Sequence, residues 1–194
     1  IGYLGGLTTA YFTHLAINKI KLEEWPNKLI ELVNSEKVSK YIDKDNFSVY
    51  SNYRLFISLW NKYIELRFKD NKPIYTNSHK NLIFRTKFFY DFKINYEYQL
   101  GVISKREEYQ HIGGTGVSCV LMAYDALLDS GDSWEKLIYY AMLHVGDSDT
   151  VGAVAGGLFG ALYGMNNIPE HMLKYLEKKK ELEKIAEDLY DKFN

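Results

Sequence analysis

The stretch His144-Val145-Gly146-Asp147-Ser148-Asp149-Thr150, continued by Val151-Gly152-Ala153-Val154-Ala155-Gly156-Gly157, carries most of the information in this chain. Two carboxylates stand two residues apart in a tight turn, with a hydroxyl next to them. In turn geometry such oxygens can converge on one hard cation, the ligand set that magnesium and calcium prefer. Gly146 lets the backbone bend sharply. The helix predicted after it has almost no side-chain bulk, and each glycine costs a helix roughly 1 kcal/mol relative to alanine. Such a helix is tolerable where it packs closely. The expectation is a loop fixed at the centre of the protein, where two negative charges need a cation. The same residues also read as an N-cap at Asp149 and a turn residue at Asp147, and spacing alone leaves both readings open.

Upstream, Gly113-Gly114-Thr115-Gly116 breaks the chain before a helix predicted from Val117 to Leu128 and ended by Ser130-Gly131. Glycines let backbone amides approach a ligand and a helix N-terminus favours anions, so the segment reads as a phosphate cradle or as a flexible connector. It is not a P-loop, because no Gly-Lys-Ser/Thr follows. Asp132 or Ser133 caps a helix running to about Leu143, Thr150 to Tyr163 forms another, and Tyr175 to Phe193 is a charged amphipathic helix. In the first half, residues 3 to 20 read as a helix, a second runs to Val33, and Ser35 caps a short one ending near Ile42. From Ser48 to Phe68, an apolar stripe at three- and four-residue steps marks the clearest amphipathic helix there. Asp70-Asn71-Lys72-Pro73 is a turn, and residues 69 to 112 support no firm assignment beyond it. With only three prolines and no convincing period-two pattern, the class is all-α.

Bulk properties exclude several functions. The chain has 194 residues, 46% of them hydrophobic, enough for one core. Its 24 basic and 25 acidic residues nearly cancel, which argues against nucleic-acid or membrane-surface partners. No apolar run is long enough to span a bilayer. The single Cys119 rules out an internal disulfide framework and suits a reducing, cytoplasmic setting. No His-x-x-x-His or Cys/His cluster suggests zinc. His14 reads as a core or boundary residue of its helix, and His144 as a residue able to support the acidic loop through a hydrogen bond. The seventeen tyrosines reflect compositional bias rather than a base-stacking surface. Opening on Ile1 inside an apolar segment, the sequence gives the expectation that something precedes it.

The residues from Gly113 to Gly164 resemble the ADP-ribosyl-acceptor hydrolase family. The match is carried by Ala123-Tyr124-Asp125-Ala126, Gly131-Asp132-Ser133-Trp134 and above all His144 to Thr150 with Ala153, Ala155-Gly156 and Gly164. Gly2-Tyr3-Leu4-Gly5, Ala16-Ile17-Asn18, Trp25 and Lys40-Tyr41-Ile42 look like its ADP-ribosylarginine hydrolase branch, while residues 69 to 108 match poorly. The resemblance implies an orthogonal all-α bundle around two magnesium ions, with residues 1–194 forming the C-terminal part of a single domain. It implies Asp147, Asp149 and Thr150 as magnesium ligands, with Asp147 and Asp149 in catalytic roles. It also implies that the loop from Tyr109 to Gly116, including His111, Gly113, Gly114 and Thr115, holds ADP-ribose. The implied reaction is hydrolysis of the N-glycosidic bond between ADP-ribose and an arginine of a modified protein, by a monomer. Two departures stand out. The family's first metal motif, of Thr-Asp-Asp type, is absent from this chain, and Val117-Ser118 stand where members tend to carry His-Asp. The alternatives are a non-catalytic ADP-ribose-binding member and a ligand-free helical interaction module.

Overall fold

The computed structural model describes residues 2–74, 81–98 and 112–193. Helix α1, Gly2–Ile17, buries Leu4, Thr8, Phe12, Leu15 and Ala16, a stripe at four-residue steps on one face. It stops three residues short of the expected end, because Lys19 turns into the left-handed region at φ 54°. His14 lies on the opposite face, exposed and stacked on Tyr11, and not in the core as expected. After a 3₁₀ turn at Leu22–Glu24, α2 spans Trp25–Asn34 with Pro26 in its first turn, where the missing N–H costs nothing. The short α3, Glu36–Ser39, follows Ser35. Ser35 stands at its N-cap position as expected, but its side chain makes no capping bond. Its hydroxyl donates back to the Leu32 carbonyl at 2.6 Å.

Helix α4, Phe47–Arg67, is capped by Asn46, whose side chain accepts from the Val49 amide. It buries Tyr53, Phe56, Ile57, Trp60, Tyr63 and Arg67, the stripe expected from the sequence plus an unexpected cation. Phe12, Trp25, Trp60, Tyr63 and Tyr124 meet with ring centroids 5.2 to 6.2 Å apart, so α1, α2, α4 and α6 share one aromatic core. Asp70 and Asn71, both at positive φ, turn the chain between β1, Phe68–Lys69, and β2, Lys72–Pro73. This hairpin is the sole interruption of the all-α class among named elements of the described residues. The aromatic run that supported no assignment forms α5, Leu82–Phe92, which continues as a π-helical stretch, Lys93–Tyr98.

Helix α6, Ser118–Ser130, is the axis of the second half and is buried on nearly every side. Gly131, at φ 57°, ends it as predicted. Ser133 caps α7, Trp134–Met142, and Asp147 caps α8, Ser148–Tyr163. Helices α1, α6, α7 and α8 pack on one another through Val151, Ala155, Leu158 and Phe159 of α8. The close-packing argument for the α8 glycines holds at Gly152, where a Cβ would lie 2.8 Å from Met142 Cγ, but not at Gly157 or Gly160, which meet no neighbour. The loop before α8 accordingly sits at the rim of the described residues and not at their centre: Asp147 is half-buried, and Asp149 and Thr150 are exposed. The chain closes with α9, Glu170–Leu173, and α10, Lys179–Phe193, in which no residue is buried.

Candidate functional site

The acidic loop and the glycine loop are distant in sequence and meet in space. Ile112 and Gly146 form a parallel bridge, and the Asp147 amide donates to the Ile112 carbonyl at 2.8 Å. Two backbones cross this closely only where side chains are absent. A Cβ on Gly146 would collide with the Ile112 carbonyl oxygen, and one on Gly113 would lie 2.8 Å from Val151 Cγ2 and 3.3 Å from the Asp147 carbonyl oxygen. Gly113 also sits at φ 85°, a conformation L side chains rarely adopt. Gly114 comes next to the Asp147 carboxylate, its hypothetical Cβ 3.8 Å from Oδ2. On the far side, Gly5 of α1 presses on the Gly116 carbonyl.

Within the acidic loop the Thr150 amide donates to Asp149 Oδ1 at 3.0 Å and to Asp147 Oδ1 at 3.4 Å. Both carboxylates thus turn toward the N-terminus of α8, where the helix dipole favours negative charge. The Asp147 carboxyl is held below the usual carboxylate range by hydrogen bonding to the Thr150 side chain, then by its contact with Asp149. Carboxylate oxygens two residues apart in one loop are the kind of ligand a hard cation takes. With the Thr150 hydroxyl they make an all-oxygen set that fits part of a hard cation's shell. Among the described residues no group of three or more His, Cys, Asp or Glu completes one.

Thr115 and Ser118 cap each other. The Ser118 amide donates to Thr115 Oγ1 at 3.0 Å, and the Thr115 amide donates to Ser118 Oγ at 3.1 Å. The glycine loop therefore leads directly into the N-terminus of α6, as a cradle requires. Tyr109 and His111, expected in the same loop, lie outside the described residues, as does His79. Next to the bridge is an apolar cavity of about 560 Å³ walled by Leu82, Ile83 and Tyr90 of α5 with Ile112, Leu143 and Val145.

His144 does not support the loop in the way expected. Both its ring nitrogens are buried, and neither meets a hydrogen-bond partner of good geometry. Burial pushes its basicity down, the Ala141 carbonyl opposes that, the Arg85 charge adds to it and the Asp147 charge opposes it.

A second polar centre escaped the sequence reading altogether. Asp125 and Asp129, one turn apart on α6, close a ring with Arg67 of α4 and Arg85 of α5. Arg67 Nε donates to Asp125 Oδ1 at 2.6 Å and its Nη2 to Asp129 Oδ1 at 2.9 Å. Arg85 Nη2 donates to Asp125 Oδ2 at 2.7 Å and its Nη1 to Asp129 Oδ2 at 2.5 Å. All four side chains are at most 3% exposed. The Tyr63 hydroxyl adds a bond to Asp125 at 2.6 Å. Two acidic residues at i and i+4 on an otherwise apolar, all-round buried helix were the signal that would have found it.

Across its whole described and undescribed length, residues 1–194, the chain matches the family model described as ADP-ribosylglycohydrolase. The chain belongs to the ADP-ribosylglycohydrolase family. The all-α architecture is the one expected of that family. It is 37% identical over 164 residues to a putative ADP-ribosyl glycohydrolase of Acanthamoeba polyphaga mimivirus, covering 82% of this chain and 30% of the relative. It is 31% identical over 207 residues to the ADP-ribosylhydrolase ARH1 of Dictyostelium discoideum, covering 97% of this chain and 50% of the relative. Human ADP-ribosylhydrolase ARH3 is 32% identical over 82 residues, covering 41% of this chain and 23% of that protein. The chain thus spans half or less of the length of the curated relatives it matches.

Proposed function

We propose that this ADP-ribosylglycohydrolase chain is the C-terminal part of a magnesium-dependent hydrolase that removes ADP-ribose from modified arginine in cytoplasmic proteins. The observation that carries the reading is the Ile112–Gly146 bridge. It sets a glycine loop at a helix N-terminus beside two carboxylates turned toward a second helix N-terminus. The first loop suits a diphosphate and the second a hard cation. The Dictyostelium relative, an ADP-ribosylhydrolase by name, supports the same chemistry. In this reading Gly113, Gly114, Thr115 and Gly116, with Tyr109 and His111, hold the nucleotide, and Asp147, Asp149 and Thr150 hold the metal. Bound magnesium would polarise ribose hydroxyls and lower the pKa of a water. Asp147 and Asp149 would hold the ion with Thr150, and carboxylates at this site would assist proton transfer. The three oxygen donors fill part of a dinuclear site, so this chain alone is expected to bind magnesium weakly and turn over little.

A second reading, ADP-ribose binding without turnover, is favoured by one observation. Val117 is wholly buried, and Ser118 is engaged with Thr115, so neither offers a proton-transfer group after the glycine loop. Release of ADP-ribose from ADP-ribosylated arginine by the product of the complete open reading frame, assayed with and without magnesium, separates the two. Magnesium-dependent release that disappears in Asp147→Asn and Asp149→Asn supports the hydrolase. Undiminished release in both variants removes these residues from the mechanism, and tight ADP-ribose binding with no release gives the second reading.

A further inference from the structure

The buried ring is more than a staple between α4, α5 and α6, because one of its two cations also touches α7. The Arg85 guanidinium lies over the Tyr140 ring, 4.6 Å from its centroid. Tyr140 is buried near the C-terminal end of α7, which finishes at Met142. His144 follows, both of its ring nitrogens buried. The ring also packs beneath Gly146, where an added Cβ would lie 3.0 Å from His144 Nδ1. Arg85 therefore reaches the end of α7 through Tyr140, and the chain runs on from there through His144, beneath Gly146, to Asp147. Arg67, the other cation, leads away from it: its remaining terminal nitrogen donates to the Ile74 carbonyl at 2.6 Å, just past the hairpin.

We propose that Arg85 is a positioning residue for the acidic loop: its two terminal nitrogens grip Asp125 and Asp129 while its face rests on Tyr140, which fixes the end of α7 and the start of residues 144–150. Its functional consequence rests on the reading of Asp147 and Asp149 as cation ligands. Groups that orient metal ligands from behind change metal affinity when they are altered, even though they never meet the metal. Arginine suits the task and lysine does not, since only the planar guanidinium bridges two carboxylates and stacks on an aromatic face at once.

The two arginines provide an internal control. Amide spectra of the full chain are recorded for Arg85→Lys, Tyr140→Leu and Arg67→Lys, and Mn²⁺ is titrated into each well below its unfolding temperature. Arg67→Lys and Arg85→Lys disrupt the same ring. The amides of Gly146, Asp147 and Thr150 are expected to shift in Arg85→Lys and Tyr140→Leu and to stay in place in Arg67→Lys. Mn²⁺ affinity is expected to fall about tenfold in the first two only. Unmoved loop amides in a folded Arg85→Lys, or equal shifts in Arg67→Lys, overturn the proposal. If Arg85→Lys does not fold, Tyr140→Leu decides by the same criteria. If Mn²⁺ fails to broaden the loop amides of the unaltered chain, the cation reading falls, and the amide shifts still decide whether Arg85 positions the loop.

Discussion

Two pairs of aspartates in this chain have opposite fates. Asp125 and Asp129 are one helical turn apart on α6, at most 3% exposed and bridged by two guanidiniums. Asp147 and Asp149 are two residues apart at the rim, and among the described residues no Lys or Arg forms an ion pair with them. The first pair had to be neutralised by the protein itself, because an uncompensated charge at that depth costs several kcal/mol. The second pair is held by Thr150 at a helix N-terminus and by no cationic side chain among the described residues, which leaves its oxygens available to a ligand. A carboxylate pair's partners, more than its spacing, separate structure from chemistry here.

The sharpest way to break this contrast is to remove one member of the buried pair. Asp125→Leu leaves two guanidiniums facing one remaining carboxylate and should destabilise the chain by about 3–5 kcal/mol, read from urea or guanidinium unfolding. A loss below about 1 kcal/mol would mean that the ring is not a satisfied network. Acid should act on the same pair next. The Asp125 carboxyl is pushed down to about 2 against burial by the charges of Arg67 and Arg85, below its unfolded value of 3.8. A depressed carboxylate contributes stability in full above the unfolded value and loses it as pH falls through the folded one. From Asp125 alone, unfolding free energy should therefore drop by about 2 kcal/mol between pH 4 and pH 2, offset in part by Asp129, whose raised carboxyl gains stability as pH falls. Asp129 is raised by burial and by the Asp125 charge, so the ring accepts its first proton there. Unfolding free energy that is flat over that window would contradict the assignment.

Nearer the loops, Gly5→Ala drives a methyl group into the Gly116 carbonyl. It should cost about 1–3 kcal/mol by thermal unfolding, with the loss falling on the packing of α1 against the glycine loop. Asp147→Asn should scarcely change stability, within about 0.5 kcal/mol, because asparagine caps a helix as well as aspartate does. The same variant should weaken Mn²⁺ binding at least tenfold, measured by calorimetry. Unchanged Mn²⁺ affinity would reduce the acidic loop to a helix cap and erase the contrast between the two pairs.

Local signals in the sequence proved dependable where local physics decides. Ser133 and Gly131 mark helix ends through short-range bonds or backbone freedom, and the stripe on α4 follows from its period. Gly146 and Asp147 were legible as a turn and an acidic motif for the same reason. What the motif could not reveal was depth. The glycines of α8 suggested a buried loop, yet only Gly152 is pressed by a neighbour, and the carboxylates lie at the rim. Nor could any local pattern pair Arg67 with Asp125, 58 positions away, since that contact exists only once α4 and α6 have packed together. The bond of Ser35 and the place of His14 were misjudged because a side chain's partner depends on which face of its helix meets the core.

The single rung between Ile112 and Gly146 makes the two loops mechanically one object. An ion that stiffened residues 146–150 would also restrain Ile112 and the glycine turn after it, so the entropy lost in ordering both would be lost once. Linkage then requires symmetry: if a nucleotide raises affinity for the ion by some factor, the ion raises affinity for the nucleotide by the same factor. Each occupant thus reports on the presence of the other.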